Sequence, residues 1–155
     1  MRTDSEAGPV WQGPLYLDAS ALAKLFLPEA ESAALNRSLL GRRDLLLSDL
    51  AVTETVSALR RRSREGEIPL EAVLGVQRAI LDLFEAGSVL RVELDVRAHR
   101  EAERLLVHLE APLRGADALH LAMALGSEAA SVVTFDQRMR AATAAAGLHA
   151  LPAHA

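Results

Sequence analysis

Short apolar runs alternate along the chain with longer segments in which apolar residues recur at helical spacing. The first run, Leu15 to Leu17, stops at Asp18 and is followed by helix-forming residues up to Pro28. This order predicts a buried strand that passes directly into a helix. Further strands are predicted at residues 45–47, 88–94, 131–135 and 148–151.

The predicted helices between these strands are bounded by capping residues, prolines and glycines. The segment from Asp117 to Ala130 is apolar nearly all round, which predicts a buried helix. Strands that alternate with helices indicate an α/β domain with three layers, α/β/α, around a parallel sheet of four or five strands. The predicted helices cover residues 19–27, 29–40, 50–65, 69–87, 95–109, 117–130 and 137–147.

The domain organisation follows from length and from the N-terminal pattern. A chain of 155 residues fits one hydrophobic core. Residues 1–13 contain Gly8, Pro9 and Gly13 without apolar periodicity, which predicts a flexible N-terminal extension. The ordered domain is expected over residues 14–152.

Composition excludes several classes of protein. Half of the residues are apolar and a quarter are charged, which excludes a disordered or low-complexity chain. The absence of cysteine excludes disulfide scaffolds, thiolate metal sites and cysteine nucleophiles. Aromatic residues make up only 3% of the chain, which disfavours binding by base stacking. The remaining chemistry uses carboxylate, hydroxyl, imidazole or guanidinium groups.

Charge and hydropathy limit the partners and the location. A net charge of −4 disfavours nucleic-acid binding by bulk charge, although local basic patches remain available. No apolar run reaches the roughly 20 residues of a membrane-spanning helix, and the first residues are polar and acidic. We therefore expect a cytoplasmic protein with no membrane partner.

Two aspartates follow predicted strands at the point where a helix begins. Asp18 follows the first strand and Asp136 follows the strand at 131–135. Each one alone is typical of a helix N-cap. In a parallel sheet all strands end at the same edge, where ligand sites lie, so the two carboxylates are candidates for one shared pocket.

Two further carboxylates lie on predicted helices. Asp117 begins the buried helix, where capping is the simpler interpretation. Glu54 borders the apolar face of its helix, beside Leu50, Ala51 and Ala58. Because a carboxylate there is costly unless it is paired, Glu54 either pairs with an arginine or faces a metal ion.

A convergence of these four acids would create a concentrated negative site that needs a cation. Oxygen ligands without cysteine favour a hard ion, Mg²⁺ or Mn²⁺, held by one or two carboxylates and several waters. Such an ion supports hydrolysis of phosphodiester bonds. Repulsion within the cluster would raise one pKa in the metal-free protein, so weak activity at low pH is expected.

Four short segments in order resemble the PIN-domain nucleases, and within them the VapC-type toxins of bacterial toxin–antitoxin pairs. The resemblance extends from Leu15 to about Leu151, and each segment contains one of the four acids. The third segment is the most specific. The four segments are YLDASAL at 16–22, LAVTETVSAL at 50–59, DALHLA at 117–122 and VTFD at 133–136.

The resemblance implies a PIN-like fold and an Mg²⁺- or Mn²⁺-dependent endoribonuclease that acts on structured RNA, such as tRNA or rRNA. It also implies a small antitoxin protein as inhibitor, and we expect a homodimer. Asp18 and Asp117 would be metal ligands. Glu54 and Asp136 would complete the cluster directly or through water.

The same resemblance assigns supporting hydroxyls to Ser20 and Thr134. The chain departs from the family pattern in the extension before Leu15 and in the polar stretch 137–140. These departures affect the predicted substrate contacts and leave all four acids in place.

Arginines cluster at the end of the helix that contains Glu54. They either bind RNA phosphates or form a solvated helix C-terminus that offsets the helix dipole. Arg42 and Arg43 are weaker candidates for phosphate binding, and Arg114 either pairs with Asp117 or binds a phosphate. The cluster consists of Arg60, Arg61, Arg62 and Arg64.

His120 lies one helical turn after Asp117 and is expected to be packed or hydrogen-bonded, because a hard-metal mechanism does not require it. The apolar positions Val73, Val76, Ile80 and Phe84 are expected in the core. Surplus apolar surface between Leu50 and Gly87 could instead hold an antitoxin helix.

Two alternative functions remain open at this point. A phosphotransfer domain fits poorly, because Lys24 is the only lysine and Ser20 stands where a phosphatase would have a second aspartate. A non-catalytic PIN-like interaction module would use the acids only as helix caps. The presence of all four acids favours the nuclease.

Overall fold

The computed structural model describes residues 10–153, which contain five strands separated by one or two helices each, seven helices in all. The longest helices of this part have 16 residues, and none is long and apolar enough to cross a membrane. The elements are β1 (Leu15–Leu17), α1 (Ala19–Phe26), α2 (Ser32–Leu39), β2 (Leu45–Ser48), α3 (Asp49–Arg64), α4 (Leu70–Glu85), β3 (Leu90–Val92), α5 (Val96–His108), α6 (Gly115–Gly126), β4 (Ser131–Val133), α7 (Gln137–Ala145) and β5 (His149–Leu151).

The five strands form one parallel sheet in the order β3-β2-β1-β4-β5. The predicted parallel sheet is therefore confirmed. The chain first moves outward from β1 to β3 and then returns to add β4 on the other side of β1. The order of strands thus reverses between β1 and β4, which is where parallel sheets usually bind ligands.

Side chains that alternate along β1 connect the sheet to both helical layers. Leu15 and Leu17 pack in a core with residues of α1 to α4, whereas Tyr16 packs in a second core with residues of α5 to α7. This alternation follows from the two-residue period of a strand. The predicted three-layer α/β/α fold is confirmed.

Helix α6 begins two residues earlier than predicted and ends four residues earlier. Asp117 is the third residue of the helix, not its first. At the other end, Glu128 adopts a left-handed φ of 56°, and the Ala129 N–H donates to the Ala124 carbonyl at 3.0 Å. This C-terminal turn stops the helix although the sequence remains apolar.

Helix α2, in contrast, starts three residues later than predicted, at Ser32 and not at residue 29. The Ser32 hydroxyl donates to the Leu27 carbonyl at 2.6 Å and accepts the Glu29 N–H at 3.0 Å. These bonds fold residues 28–31 into a turn between α1 and α2.

The segment before β1 contacts the domain, in contrast to the flexible extension predicted over residues 1–13. The Gln12 carbonyl accepts the Ser131 hydroxyl at 2.6 Å, and the Trp11 carbonyl accepts an N–H of Arg42 at 3.0 Å. Trp11 also packs against the core. Residues 11–13 therefore belong to the folded body, while residues 1–9 of the predicted extension lie outside the described residues.

Candidate active site

Asp18 and Asp136 lie at the same edge of the sheet, on the two sides of the strand reversal. Asp18 caps α1 by accepting the Ala21 N–H at 2.9 Å, and Asp136 caps α7 by accepting the Met139 N–H at 2.9 Å. The predicted capping role is confirmed for both residues. Because each cap follows a parallel strand, capping also brings the two carboxylates to one edge.

Two hydroxyl groups connect these aspartates. Ser20 donates to Asp18 Oδ1 at 2.7 Å and accepts the Phe135 N–H at 2.8 Å. Thr134 accepts the Asp136 N–H at 3.1 Å, and its Oγ1 lies 3.4 Å from the Ser20 hydroxyl oxygen. The structure therefore places the two predicted hydroxyls between the predicted acids.

The carboxylate of Asp18 is held in a buried environment, with only 5% of the residue exposed. Burial raises the pKa of Asp18 above its ordinary value, and hydrogen bonds from Ser20, Thr134 and Ala21 oppose that rise. This rise has the direction predicted for one carboxyl group of the metal-free cluster. Its main cause is loss of hydration, whereas the sequence had indicated repulsion between carboxylates.

Asp117 lies in the first turn of α6, where its Oδ2 accepts the backbone N–H of Arg114 at 3.2 Å. Asp117 therefore caps α6 as predicted, but it does so from the third helical position in a capping box, and Arg114 occupies the N-cap position. The contact uses the backbone of Arg114, and no side-chain ion pair between the two residues occurs within the described chain. The Asp117 carboxylate remains partly exposed.

Glu54 on α3 pairs with His120 on α6. Glu54 Oε2 lies 2.5 Å from His120 Nε2, with side-chain exposures of 35% for the glutamate and 5% for the histidine. The arginine partner predicted as an alternative for Glu54 is therefore wrong. The expectation that His120 is packed and hydrogen-bonded is confirmed.

The ring of His120 is anchored on its other side by groups that sequence analysis missed. His120 Nδ1 lies 2.7 Å from the hydroxyl oxygen of Tyr16, which lies 2.8 Å from the hydroxyl oxygen of Ser48. Ser48 also caps α3 by accepting the Ala51 N–H at 3.1 Å. A tyrosine within a buried strand requires a partner for its hydroxyl, and this requirement was the available signal.

Hydrogen bonds connect only two of the four acids to each other. Asp18 is linked to Asp136 through hydroxyls, Glu54 is bonded to His120, and Asp117 lies one helical turn before His120. Asp18 and Glu54 both raise the pKa of Tyr16 electrostatically, although burial is the largest cause of that rise. Within residues 10–153, no three His, Asp or Glu residues form a group that could hold a metal ion.

The arginine cluster divides between paired and free side chains. Arg62 bonds to Glu67 at 2.7 Å and to Glu29 at 3.1 Å. Arg60 donates to the Ser63 hydroxyl at 3.3 Å. In the described part of the chain, Arg61 and Arg64 are exposed and have no such partner. The paired arginines support the structural interpretation, and the free ones remain candidates for phosphate binding.

The other sequence-based candidates have distinct positions. Arg42 forms an ion pair with Asp44 at 2.7 Å, which gives it a structural role. Val73, Val76 and Ile80 are buried in the core as predicted, and Phe84 packs against it partly buried. Helix α4 also exposes a set of apolar side chains, namely Leu70, Leu74 and Leu81.

The chain is similar in sequence to a known family over most of its length. Residues 15–145 match the model of the PIN domain family. Ribonuclease VapC46 of Mycobacterium tuberculosis is 35% identical over 143 residues, which cover 86% of this chain and 93% of that protein.

Solved structures with the same fold include a VapC toxin and a VapBC structure. Mycobacterium tuberculosis VapC20, a sarcin-ricin loop cleaving toxin, superposes with a TM-score of 0.64 at 18% identity and covers 86% of this chain and 95% of its own. VapBC2 from Rickettsia felis, bound to a DNA fragment from its promoter, gives a TM-score of 0.57 at 13% identity, with coverages of 88% and 96%. At these identities the similarity shows the fold alone.

Proposed function

Because this chain belongs to the PIN domain family, we propose that it is a metal-dependent endoribonuclease and the toxin of a toxin–antitoxin pair. Its similarity to a VapC ribonuclease along 86% of the chain supports the RNA-cleaving activity. The structural observation that carries the proposal is the placement of Asp18 and Asp136 beside the reversal between β1 and β4. That position is the usual ligand site of an open parallel sheet.

The donor groups at this edge fit a hard divalent cation. Mg²⁺ and Mn²⁺ prefer carboxylate oxygens, and Mg²⁺ commonly binds through one or two carboxylates with waters completing its shell. Such a site does not require three protein ligands in one group. The buried carboxylate of Asp18 forms no ion pair with lysine or arginine within residues 10–153, so a bound cation would offset the cost of its burial.

The four acids would have two different roles at this site. Asp18 and Asp117 would hold the cation, and Glu54 and Asp136 would complete the negative set directly or through water. The bound ion supplies Lewis acidity for hydrolysis of a phosphodiester bond. The donor hydroxyl of Ser20 orients the Asp18 carboxylate, which limits its rotation.

The proposed substrate is a structured RNA such as tRNA or rRNA. The neighbour VapC20, described as a sarcin-ricin loop cleaving toxin, supports this class. Arg61 and Arg64 are exposed cations on the helix that contains Glu54, and they are suited to phosphate contacts.

The proposed protein partners are an antitoxin and a second copy of this chain. The neighbour VapBC2 supports the antitoxin partner. The exposed leucines of α4 offer apolar area that a partner helix could cover. Size-exclusion chromatography with light scattering tests the homodimer, and a monomer at micromolar concentration would contradict it.

The activity is tested by incubating the purified, partner-free chain with total cellular RNA, with and without Mg²⁺ or Mn²⁺. Asp117→Asn is the matched variant, because it removes a charge and keeps the size of the side chain. We expect discrete cleavage that requires both the metal and Asp117. A folded, partner-free protein that leaves several RNA pools intact would contradict the proposed function.

A further inference from the structure

A chain of hydrogen bonds connects the buried sheet to Glu54 at the candidate site. It passes from Ser48 on β2 to Tyr16 on β1, then to His120 on α6, and ends at Glu54 on α3. Tyr16 and Ser48 are fully buried and His120 is 4% exposed. This series of hydrogen bonds joins the two helical layers across the end of the sheet.

The direction of the last bond follows from the groups themselves. An ionised carboxylate only accepts hydrogen bonds, so His120 Nε2 must carry the proton that faces Glu54. This holds for the Nε2–H tautomer and for the doubly protonated ring alike. Nδ1 accepts the Tyr16 O–H in the first case and donates to the Tyr16 oxygen in the second, and in both cases this bond fixes the rotation of the imidazole. The fixed ring then fixes Glu54 Oε2.

The second carboxylate oxygen of Glu54 is left available by this arrangement. Oε1 has no hydrogen-bond partner in the described part of the chain, and the side chain is 35% exposed. A free glutamate samples several rotamers, and ordering it costs conformational entropy. A carboxylate already held by Nε2 presents Oε1 at one place without that cost.

We propose that His120, oriented by Tyr16, is a positioning residue that holds the Glu54 carboxylate in place for RNA cleavage. The inference rests on the proposed nuclease function. Glu54 is the candidate acid that this bond orients, and His120 acts through it. A purely structural role would instead limit the effect of the histidine to folding stability.

Two replacements of His120 separate these roles. The amide nitrogen of Gln reaches as far as Nε2, so His120→Gln retains a donor for Glu54. The amide of Asn ends at the position of Nδ1, so His120→Asn keeps a partner for Tyr16 and loses the bond to Glu54. Tyr16→Phe removes only the hydroxyl that orients the ring, and His99→Gln on the exposed face of α5 is the control.

We expect His120→Asn to lower kcat about 10- to 100-fold, the usual effect of losing such a supporting hydrogen bond. KM for RNA should change much less, because the histidine does not touch the substrate. His120→Gln should recover most of the lost kcat, and Tyr16→Phe should lower kcat at an unchanged KM. Equal kcat values for the Asn and Gln variants, both folded by thermal melting, would overturn the proposal.

A second readout does not depend on activity. Long-range ¹H–¹⁵N NMR of the metal-free protein reports on the ring nitrogens of His120. We expect Glu54→Gln to shift Nε2 and Tyr16→Phe to shift both ring nitrogens, while His99→Gln shifts neither. Unchanged His120 nitrogens in both variants would overturn the positioning role. If the wild-type chain cleaves no RNA, the proposed function fails, and these spectra still decide whether His120 holds Glu54.

Discussion

Ser20 and Thr134 are 114 positions apart in the sequence, and their hydroxyl oxygens lie 3.4 Å apart in the structure. Ser20 belongs to the segment that follows β1, and Thr134 belongs to the segment that follows β4. Each hydroxyl bonds to the segment of a candidate acid, Asp18 in one case and Asp136 in the other. The pair therefore fixes the distance between two acids that come from distant parts of the chain.

Replacement of Ser20 by alanine is expected to lower both stability and cleavage. The change removes the donor to Asp18 and leaves the partly buried Phe135 N–H without its acceptor, which costs about 1 kcal/mol. It also raises the pKa of Asp18 further, because the hydroxyl favours the ionised form. Urea unfolding measures the loss, and Ser20→Thr, which keeps the hydroxyl, is the matched control. Equal stability of the alanine and threonine variants would contradict the link.

Asp18→Asn is expected to raise the melting temperature of the metal-free protein at neutral pH. Burial raises the pKa of Asp18 above 3.8, so the folded protein keeps this proton at a pH where the unfolded chain has lost it. The contribution of this proton to the free energy of unfolding is therefore fully present below the unfolded-state pKa of 3.8. It is lost as the pH rises through the raised pKa of the folded protein. Asn cannot ionise and still caps the helix.

Melting curves of wild type and Asp18→Asn between about pH 4 and pH 8 measure this effect. The advantage of Asp18→Asn should grow with pH and vanish at the acidic end. Asp136→Asn, an exposed cap, controls for the exchange of a capping residue. A wild-type protein that is more stable than Asp18→Asn at neutral pH would contradict the burial argument.

Arg61→Ala is expected to weaken RNA binding more than Arg62→Ala. Arg61 is exposed and lies two helical turns after Glu54, roughly 10 Å along the axis of α3. Arg62 is occupied by Glu29 and Glu67, so its loss affects stability by at most about 1 kcal/mol. Each lost phosphate contact should reduce the slope of log K against log salt by about 0.7–0.9.

Binding titrations at several salt concentrations, in an Asp117→Asn background that prevents cleavage, measure these slopes. Arg100→Ala on α5 is a control, because that arginine pairs with Glu103. An unchanged slope for Arg61→Ala would contradict phosphate binding and would indicate that the arginine cluster is a solvated helix C-terminus.

Thr143→Val is expected to stabilise the protein. The Thr143 hydroxyl is fully buried and has no hydrogen-bond partner within residues 10–153. Valine has nearly the same shape and removes the cost of the unsatisfied group, about 1 kcal/mol. The same exchange at Thr134, which accepts the Asp136 N–H, should destabilise the protein. Urea unfolding of both variants checks the contrast, and a less stable Thr143→Val would contradict it.

Local patterns were sufficient to predict most of the fold and the capping position of Asp18 at the site. The apolar run of β1, the cap at Asp18 and the alternation of strands and helices are encoded by neighbouring residues. The pairing of Glu54 with His120 spans 66 positions and opposite helical layers, so no local pattern contains it. The start of α6 was misplaced because the carboxylate of Asp117 reaches back to a backbone N–H, which composition does not reveal.

We propose that the acids at the edge of β1 and β4 support RNA cleavage and are not only helix caps. Cleavage of cellular RNA by wild type and Asp18→Asn, measured with Mg²⁺ beside thermal melting of the same samples, tests it most directly. We predict that Asp18→Asn stays folded, with a melting temperature at or above that of wild type without metal, and loses cleavage. A folded Asp18→Asn that cleaves RNA as wild type does would contradict the claim.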